Sequence, residues 1–215
     1  MSTPRTERPE LPEHMTWEEL EQLPEEIAGE IELWDGRVVW VRRGPMEHQD
    51  CTVEMRNALR RCARDDMSSH PEHCWKATTE TNVFFGSTGK SDFVTPDFLV
   101  CRCLDKRYQD VRASDVSLAG EVLSPSNTPR DVEAKKARYA HAGIPWYWEI
   151  LLGDEHPISI VRAYGLETNG QLPEGAAPLY PANYVVVGEW SPVDSDGIVF
   201  DHPFSIEIPW SELEF

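Results

Sequence analysis

The apolar and polar positions change period several times along the chain, and each change marks an element. Residues 1–14 are polar and rich in Pro and Glu, and read as a disordered tail. Thr16 followed three residues later by Glu19 is a capping-box pattern, predicting a short helix over 17–23. Glu30-Ile31-Glu32-Leu33-Trp34 alternates with the period of a strand. Asp35-Gly36 is a hairpin turn signal, with 37–42 as the returning strand. Over 47–65 the period lengthens. Cys51, Met55, Leu59 and Cys62 fall at spacings of four, four and three, one apolar stripe on a long helix, with Arg56, Arg60, Arg61 and Arg64 on the far side. His48, seven residues before Met55, shares the inward face.

Strand-like runs follow at 75–85, 93–103 and 116–123, the first two divided by a turn at Gly86, Gly89 and Lys90. Thr128 is a good helix N-cap, Pro129 suits the first helical position, Asp131 sits three residues after the cap, and Gly143 is a stop. An aromatic-rich strand spans 145–151, and further strands are predicted at 158–164, 184–187, 197–200 and 205–208. Trp146 and Trp148 alternate with Tyr147, so they pack one face of that strand. The order helix, three strands, helix, strand predicts an α/β or α+β fold with a mixed central sheet flanked by helices and β-rich extensions at both ends.

With 215 residues, 40% of them hydrophobic, the chain makes one domain with a sizeable core. It divides into the tail at 1–14, a core with its N-terminal hairpin at 15–165, and an acidic β-rich C-terminal extension at 166–215 packed on the core. No apolar run approaches the roughly 18 residues of a transmembrane helix, so no membrane partner is expected. The polar N-terminus lacks a signal-peptide stretch, which makes the expected location cytoplasmic. A net charge of −18 argues against a simple electrostatic grip on nucleic acid or anionic membrane. Its distribution softens that objection: residues 1–35 carry a net −9, residues 151–215 a net −10, and residues 36–150 a net +1.

Five cysteines, Cys51, Cys62, Cys74, Cys101 and Cys103, are an odd number in a chain that is not Cys-dense, and read as reduced thiols rather than a disulfide framework. Cys101 and Cys103 share a strand face, which packing explains better than a thiol nucleophile does. His70, His73 and Cys74 are metal-ligand types, but without a second pair at zinc-finger spacing they do not read as a structural zinc site.

Chemistry enters where acids interrupt apolar strands. Asp97 lies within Val94-Thr95-Pro96-Asp97-Phe98-Leu99-Val100, and Glu121 within Leu118-Ala119-Gly120-Glu121-Val122-Leu123. A carboxylate in such a place must be paired, hydrogen-bonded or bound to a metal. Two on neighbouring strands can converge on a hard cation such as Mg²⁺; alternatively each caps a strand end on loop amides. On the second helix, Val132 and Tyr139 define the apolar centre, with Lys135 about 60° to one side and Lys136 about 40° to the other. Either ammonium can snorkel to the sheet edge, and helical geometry does not choose between them.

Taken together, Pro96-Asp97, Glu121-Val122-Leu123-Ser124-Pro125-Ser126, Asp131…Lys135…Tyr139 and Gly143-Ile144-Pro145-Trp146-Tyr147-Trp148 resemble the Uma-type restriction endonucleases of the PD-(D/E)XK nuclease superfamily. The hairpin Ile31-Glu32-Leu33-Trp34-Asp35-Gly36 and His48 match the family's N-terminal motifs, so the resemblance runs from about Thr16 to about Tyr164. It implies a restriction-endonuclease-like core and a hydrolase site dependent on Mg²⁺ or Mn²⁺. Asp97 and Glu121 would then be the metal ligands, Lys135 the catalytic lysine, and Lys136, Glu32 and His48 possible accessory residues. The superfamily's lysine two residues after the second acid is replaced by Leu123, and the Uma-type pattern supplies one from the following helix instead. The resemblance further implies cleavage of DNA and a homodimer. Arg130, Lys135, Lys136 and Arg138 form a basic strip for the phosphate backbone. Leu123 and the acidic ends support a rival expectation, a catalytically inactive nuclease-fold protein acting as a binding or interaction module.

Overall fold

The computed structural model describes residues 8–41, 44–123, 127–154, 156–167 and 182–215. Ser124, Pro125 and Ser126 of the second motif lie outside the described residues, as do residues 1–7 and Arg42. Two short helices open the chain, α1 (Trp17–Leu20) and α2 (Glu25–Ala28). The Thr16 hydroxyl accepts from the Glu19 amide and the Glu19 carboxylate from the Thr16 amide, completing the capping box. The hairpin β1 (Ile31–Trp34) and β2 (Arg37–Trp40) turns at Asp35 and Gly36, both at positive φ. Residues 8–14, expected within the disordered tail, lie along this hairpin: Val38 N–H donates to the Glu13 carbonyl, and the Arg8 guanidinium sits 4.7 Å over the Trp40 ring.

Helix α3 (Met46–Ser69) buries Cys51, Met55, Leu59 and Cys62, as its periodicity predicts. Two of the predicted strand runs are each cut in two. The first becomes β3 (Trp75–Thr79) and β4 (Val83–Phe84), the second β5 (Phe93–Val94) and β6 (Phe98–Arg102). In each, one half joins a different sheet, and Asp97 lies at the break in the second. Then come β7 (Val111–Arg112), β8 (Val116–Leu123), α4 (Pro129–His141), β9 (Trp146–Leu152), β10 (Ile158–Glu167), β11 (Asn183–Trp190), β12 (Gly197–Phe200) and β13 (Ile206–Pro209).

The main sheet has the order β11-β10-β9-β8-β6-β3, antiparallel except for β8 and β9, which run parallel with α4 as their crossover. Strand alternation gives it two apolar faces. Phe98, Val100, Leu118, Val122, Trp148 and Ile150 pack against α3. Leu99, Cys101, Ala119 and Tyr147 pack against Tyr139 of α4. Phe98 lies across Gly120 in the β6–β8 ladder, where a Cβ would come within 2.0 Å of the ring, so only glycine admits it there. A second, five-stranded sheet, β2-β1-β5-β4-β7, carries the N-terminal hairpin.

The proposed boundary at 165/166 falls inside β10, and β11 beyond it belongs to the main sheet. The hairpin β12–β13 closes over α3 through Ile198, Phe200, Ile206 and Ile208. Arg61, expected on the solvent face of α3, instead pairs with Glu212 at 3.0 Å and donates to the Glu207 carbonyl. The reading of five reduced thiols is also corrected, because Cys74 and Cys103 form a disulfide. These two come together only when β3 pairs with β6, a juxtaposition that Cys counting does not reveal. Cys51, Cys62 and Cys101 are free and buried; burial pushes the thiols of Cys51 and Cys101 up to about 12 and about 11. Among the described residues no helix is long and apolar enough to cross a membrane.

Candidate active site

The β6–β8 ladder pairs Phe98 with Gly120. Carried one residue further, that register sets Asp97 opposite Glu121. Asp97 Oδ2 accepts from the Val122 amide at 2.7 Å and lies 3.2 Å from His48 Nε2. His48 comes from the first turns of α3, whose N-terminal end therefore abuts the sheet. Its ring rests against Gly44, where a Cβ would lie 2.2 Å from the ring carbon Cγ. Burial opposes a charge on His48, but the hydrogen bond and charge of Asp97, with Glu121 behind them, hold its pKa above the ordinary histidine value.

Glu121 is buried on the face of β8 that α4 covers. Its Oε1 lies 2.8 Å from Lys135 Nζ and also accepts from the Tyr139 hydroxyl. These two donors are four residues apart on α4, one turn above the other on the same face. Burial pushes the Glu121 carboxyl up to about 8; Lys135 pulls it down, and Asp97 pushes it up further. Lys135 also stands 3.1 Å from Glu32 Oε1 and donates to the Thr95 carbonyl at 3.3 Å. Burial works against the ammonium, yet Glu121, Glu32 and Asp97 outweigh it and hold its pKa above the ordinary lysine value. Glu32 is fully buried on β1. It accepts from the Thr95 amide at 2.9 Å through Oε1 and from the Trp34 indole at 2.8 Å through Oε2.

Asp97, Glu121, Lys135, Glu32 and His48 thus meet in one place. Lys136 does not join them. It turns to Glu149 at 2.9 Å, Glu133 at 2.8 Å and the Tyr164 hydroxyl at 3.3 Å. Glu149 stands beside Glu121 in the parallel β8–β9 register. It meets the criterion that singled out Asp97 and Glu121, an acid within an apolar strand, and sequence reasoning missed it. The Tyr139 hydroxyl was also missed, hidden by that residue's apolar spacing. The basic strip is revised too. Arg138 pairs with Asp92 and Asp35, and Lys135 and Lys136 face internal carboxylates, so of the four only Arg130 is exposed, on the wall of a cleft.

That cleft has a volume of about 1140 Å³, and Asp97, Glu121, Lys135, Glu32 and His48 line it together with Arg37 and Arg130. Its donor set fits a hard divalent cation: one carboxylate on β8 and one just before the adjacent β6, with hydrogen bonds on Oδ2 of Asp97 and Oε1 of Glu121.

The comparisons with known proteins agree with this architecture. A family model described as "Uma2: Putative restriction endonuclease" matches residues 17–170. No curated protein sequence matches the chain. Among solved structures, a putative nuclease belonging to DUF820 from Anabaena variabilis ATCC 29413 superposes with a TM-score of 0.58 at 15% identity, covering 93% of this chain and 97% of that one. At that identity the likeness concerns the fold.

Proposed function

We propose, from the premise that this chain belongs to the Uma2 family of putative restriction endonucleases, that it is a divalent-metal-dependent endonuclease hydrolysing phosphodiester bonds in DNA. The observation that carries this is the convergence of Asp97, Glu121 and Lys135 in one cleft, from the two sides of the β6–β8 ladder and the helix that follows it. Asp97 and Glu121 would hold Mg²⁺ or Mn²⁺. When bound, the ion supplies Lewis-acid polarisation of a phosphate.

The remaining roles belong to the protein. Lys135 neutralises negative charge developing on the phosphoryl group in the transition state, in a cleft where low dielectric strengthens the interaction. Leu123 leaves the usual lysine position apolar, and in this reading Lys135 supplies that charge from α4. Glu32 holds the ammonium in place from its other side. The Tyr139 hydroxyl orients Glu121 through Oε1, and His48 orients Asp97 through Oδ2. Arg37 and Arg130 along the cleft are the groups for the phosphate backbone, and they position the nucleic acid without reading its sequence.

The same reading includes pairing of two copies, supported by Val185, Val186 and Val187, exposed on the edge strand β11. Action in the cytoplasm is part of it as well, and requires the fold to tolerate reduction of Cys74–Cys103.

The test is cleavage of plasmid and linear DNA by wild type, Asp97→Asn and Glu121→Gln, with Mg²⁺ or Mn²⁺, beside calorimetric titration of each metal. Wild type cleaves and takes up metal, and both variants lose both properties. Wild type that cleaves no DNA and takes up neither metal overturns the proposal in favour of a binding module.

A further inference from the structure

At the far end of α3, about 33 Å from His48 at 1.5 Å per residue, a second group of ligand-type side chains converges. Asp66 Oδ1 lies 3.0 Å from His70 Nδ1, and Asp66 Oδ2 lies 2.8 Å from His73 Nδ1. One ligand atom from each of the three lies within 4.8 Å of the others. The Asp66 side chain is only 9% exposed, whereas the two imidazoles are half open to solvent. The Trp75 indole donates to Asp66 Oδ2 at 2.8 Å and fixes the carboxylate from behind. Backbone bonds hold the turn: the His70 amide donates to the Asp66 carbonyl at 2.7 Å, and the His73 amide to the His70 carbonyl at 2.9 Å.

We infer that Asp66, His70 and His73 form a binding site for a divalent transition metal such as Zn²⁺, separate from the catalytic cleft. Both rings aim the same nitrogen, Nδ1, at one carboxylate, one at each oxygen, and each such nitrogen can ligate a metal once its proton has left. Metal bonds of about 2.0–2.1 Å in tetrahedral geometry set ligand atoms roughly 3.3 Å apart; the two carboxylate–imidazole spacings, 3.0 and 2.8 Å, are near that value, and the three ligand atoms all lie within 4.8 Å of one another. Two imidazoles and one carboxylate select Zn²⁺, Co²⁺, Ni²⁺ or Cu²⁺ over Mg²⁺, the reverse of the all-oxygen pair in the cleft. Trp75 supplies the outer hydrogen bond that such ligating carboxylates commonly have.

The sequence contains the histidines but points to the wrong third partner. Cys74, adjacent to His73, is taken by the disulfide with Cys103, and Asp66 comes from one helical turn before His70. With three protein ligands, water completes the coordination. The ion would tie the end of α3 to the start of β3, a stabilising clamp beside the disulfide.

The experiment uses the full chain without an affinity tag, stripped with chelator and titrated with Zn²⁺ by calorimetry and with Co²⁺ by visible absorption, with thermal melting in parallel. Wild type and Asp97→Asn each bind the ion at this site and melt higher with Zn²⁺. The double variant His70→Gln, His73→Gln binds at least about tenfold more weakly, loses the Co²⁺ ligand-field bands and melts at a temperature unmoved by Zn²⁺. The replaced rings are half open to solvent and lie outside the core, so its circular dichroism should match wild type, and its Mg²⁺-dependent cleavage should be unchanged. Equal Zn²⁺ response in wild type and the double variant overturns the inference, and so does no response in wild type. Loss of the response in Asp97→Asn instead would place the ion in the catalytic cleft and overturn it too.

Discussion

Lys135 and Lys136 are adjacent in sequence yet serve different carboxylates: Lys135 lies 2.8 Å from Glu121, and Lys136 lies 2.9 Å from Glu149. The two acids stand side by side in the parallel β8–β9 register, about 4.8 Å apart as neighbouring strands are. Successive residues on α4 diverge by 100°, so each lysine drops onto one strand.

This separation gives the first prediction. Lys135→Gln abolishes DNA cleavage and destabilises the fold by about 3–5 kcal/mol, because it leaves Glu121 and Glu32 buried without a counter-charge. Adding Glu32→Gln restores part of the stability without restoring cleavage. Lys136→Gln weakens the fold through Glu149 but keeps cleavage per folded molecule. Urea titration beside a plasmid-nicking assay reads both effects, and a Lys135→Gln enzyme that nicks at the wild-type rate would remove Lys135 from the mechanism.

The pH dependence of metal uptake follows from Glu121. Its carboxyl stands near 8, and a cation must displace the proton. Below that value each unit of acidification lowers the ionised fraction about tenfold, so Mg²⁺ affinity rises with pH from about 6 to 8 and then levels off. The other groups facing Glu121 are Lys135 and Tyr139 from α4, Asp97 before β6, His48 from α3, and Glu149 and Tyr147 from β9. Of these, Lys135 and Tyr139 titrate far above the window. His48, with its pKa raised, loses its charge as pH rises and so favours the cation in the same direction. Calorimetry at four pH values should give this profile, and affinity that falls as pH rises would contradict it.

Gly44 provides a test of His48 without touching His48 itself. Gly44→Ala places a Cβ against the imidazole and moves it off Asp97. Cleavage should fall by about the same factor as in His48→Ala, and the double variant should be no worse than either single, since both act on one contact. Additive losses would mean that Gly44 matters for another reason. Melting temperatures of all three variants control for folding.

The disulfide joins positions 29 residues apart. Chain-entropy arguments give such a loop about 3–4 kcal/mol of stabilisation through the unfolded state. Reductant, or the pair Cys74→Ser and Cys103→Ser, should lower the urea midpoint accordingly while leaving cleavage intact, because the bond lies at the opposite end of α3 from the cleft. An unchanged midpoint would mean that the bond adds nothing to stability.

Much of this molecule was written in local pattern. The stripe of Cys51, Met55, Leu59 and Cys62 specified α3. Thr128-Pro129 specified the start of α4, and Asp35-Gly36 the hairpin, because caps, periods and turn residues act within a few positions. Acids within apolar runs marked Asp97 and Glu121, since desolvation makes a carboxylate there too costly without a partner. What no local pattern contained was pairing. The breaks at residues 80–82 and 95–97, which send the two halves of one apolar run into different sheets, depend on which strands find each other. The same holds for the choice between Lys135 and Lys136, the capture of Cys74 by Cys103 and the approach of Asp66 to two histidines. Each is fixed by sheet register and helix rotation relative to the sheet. Those are properties of contacts between residues distant in sequence, and only the folded chain decides them.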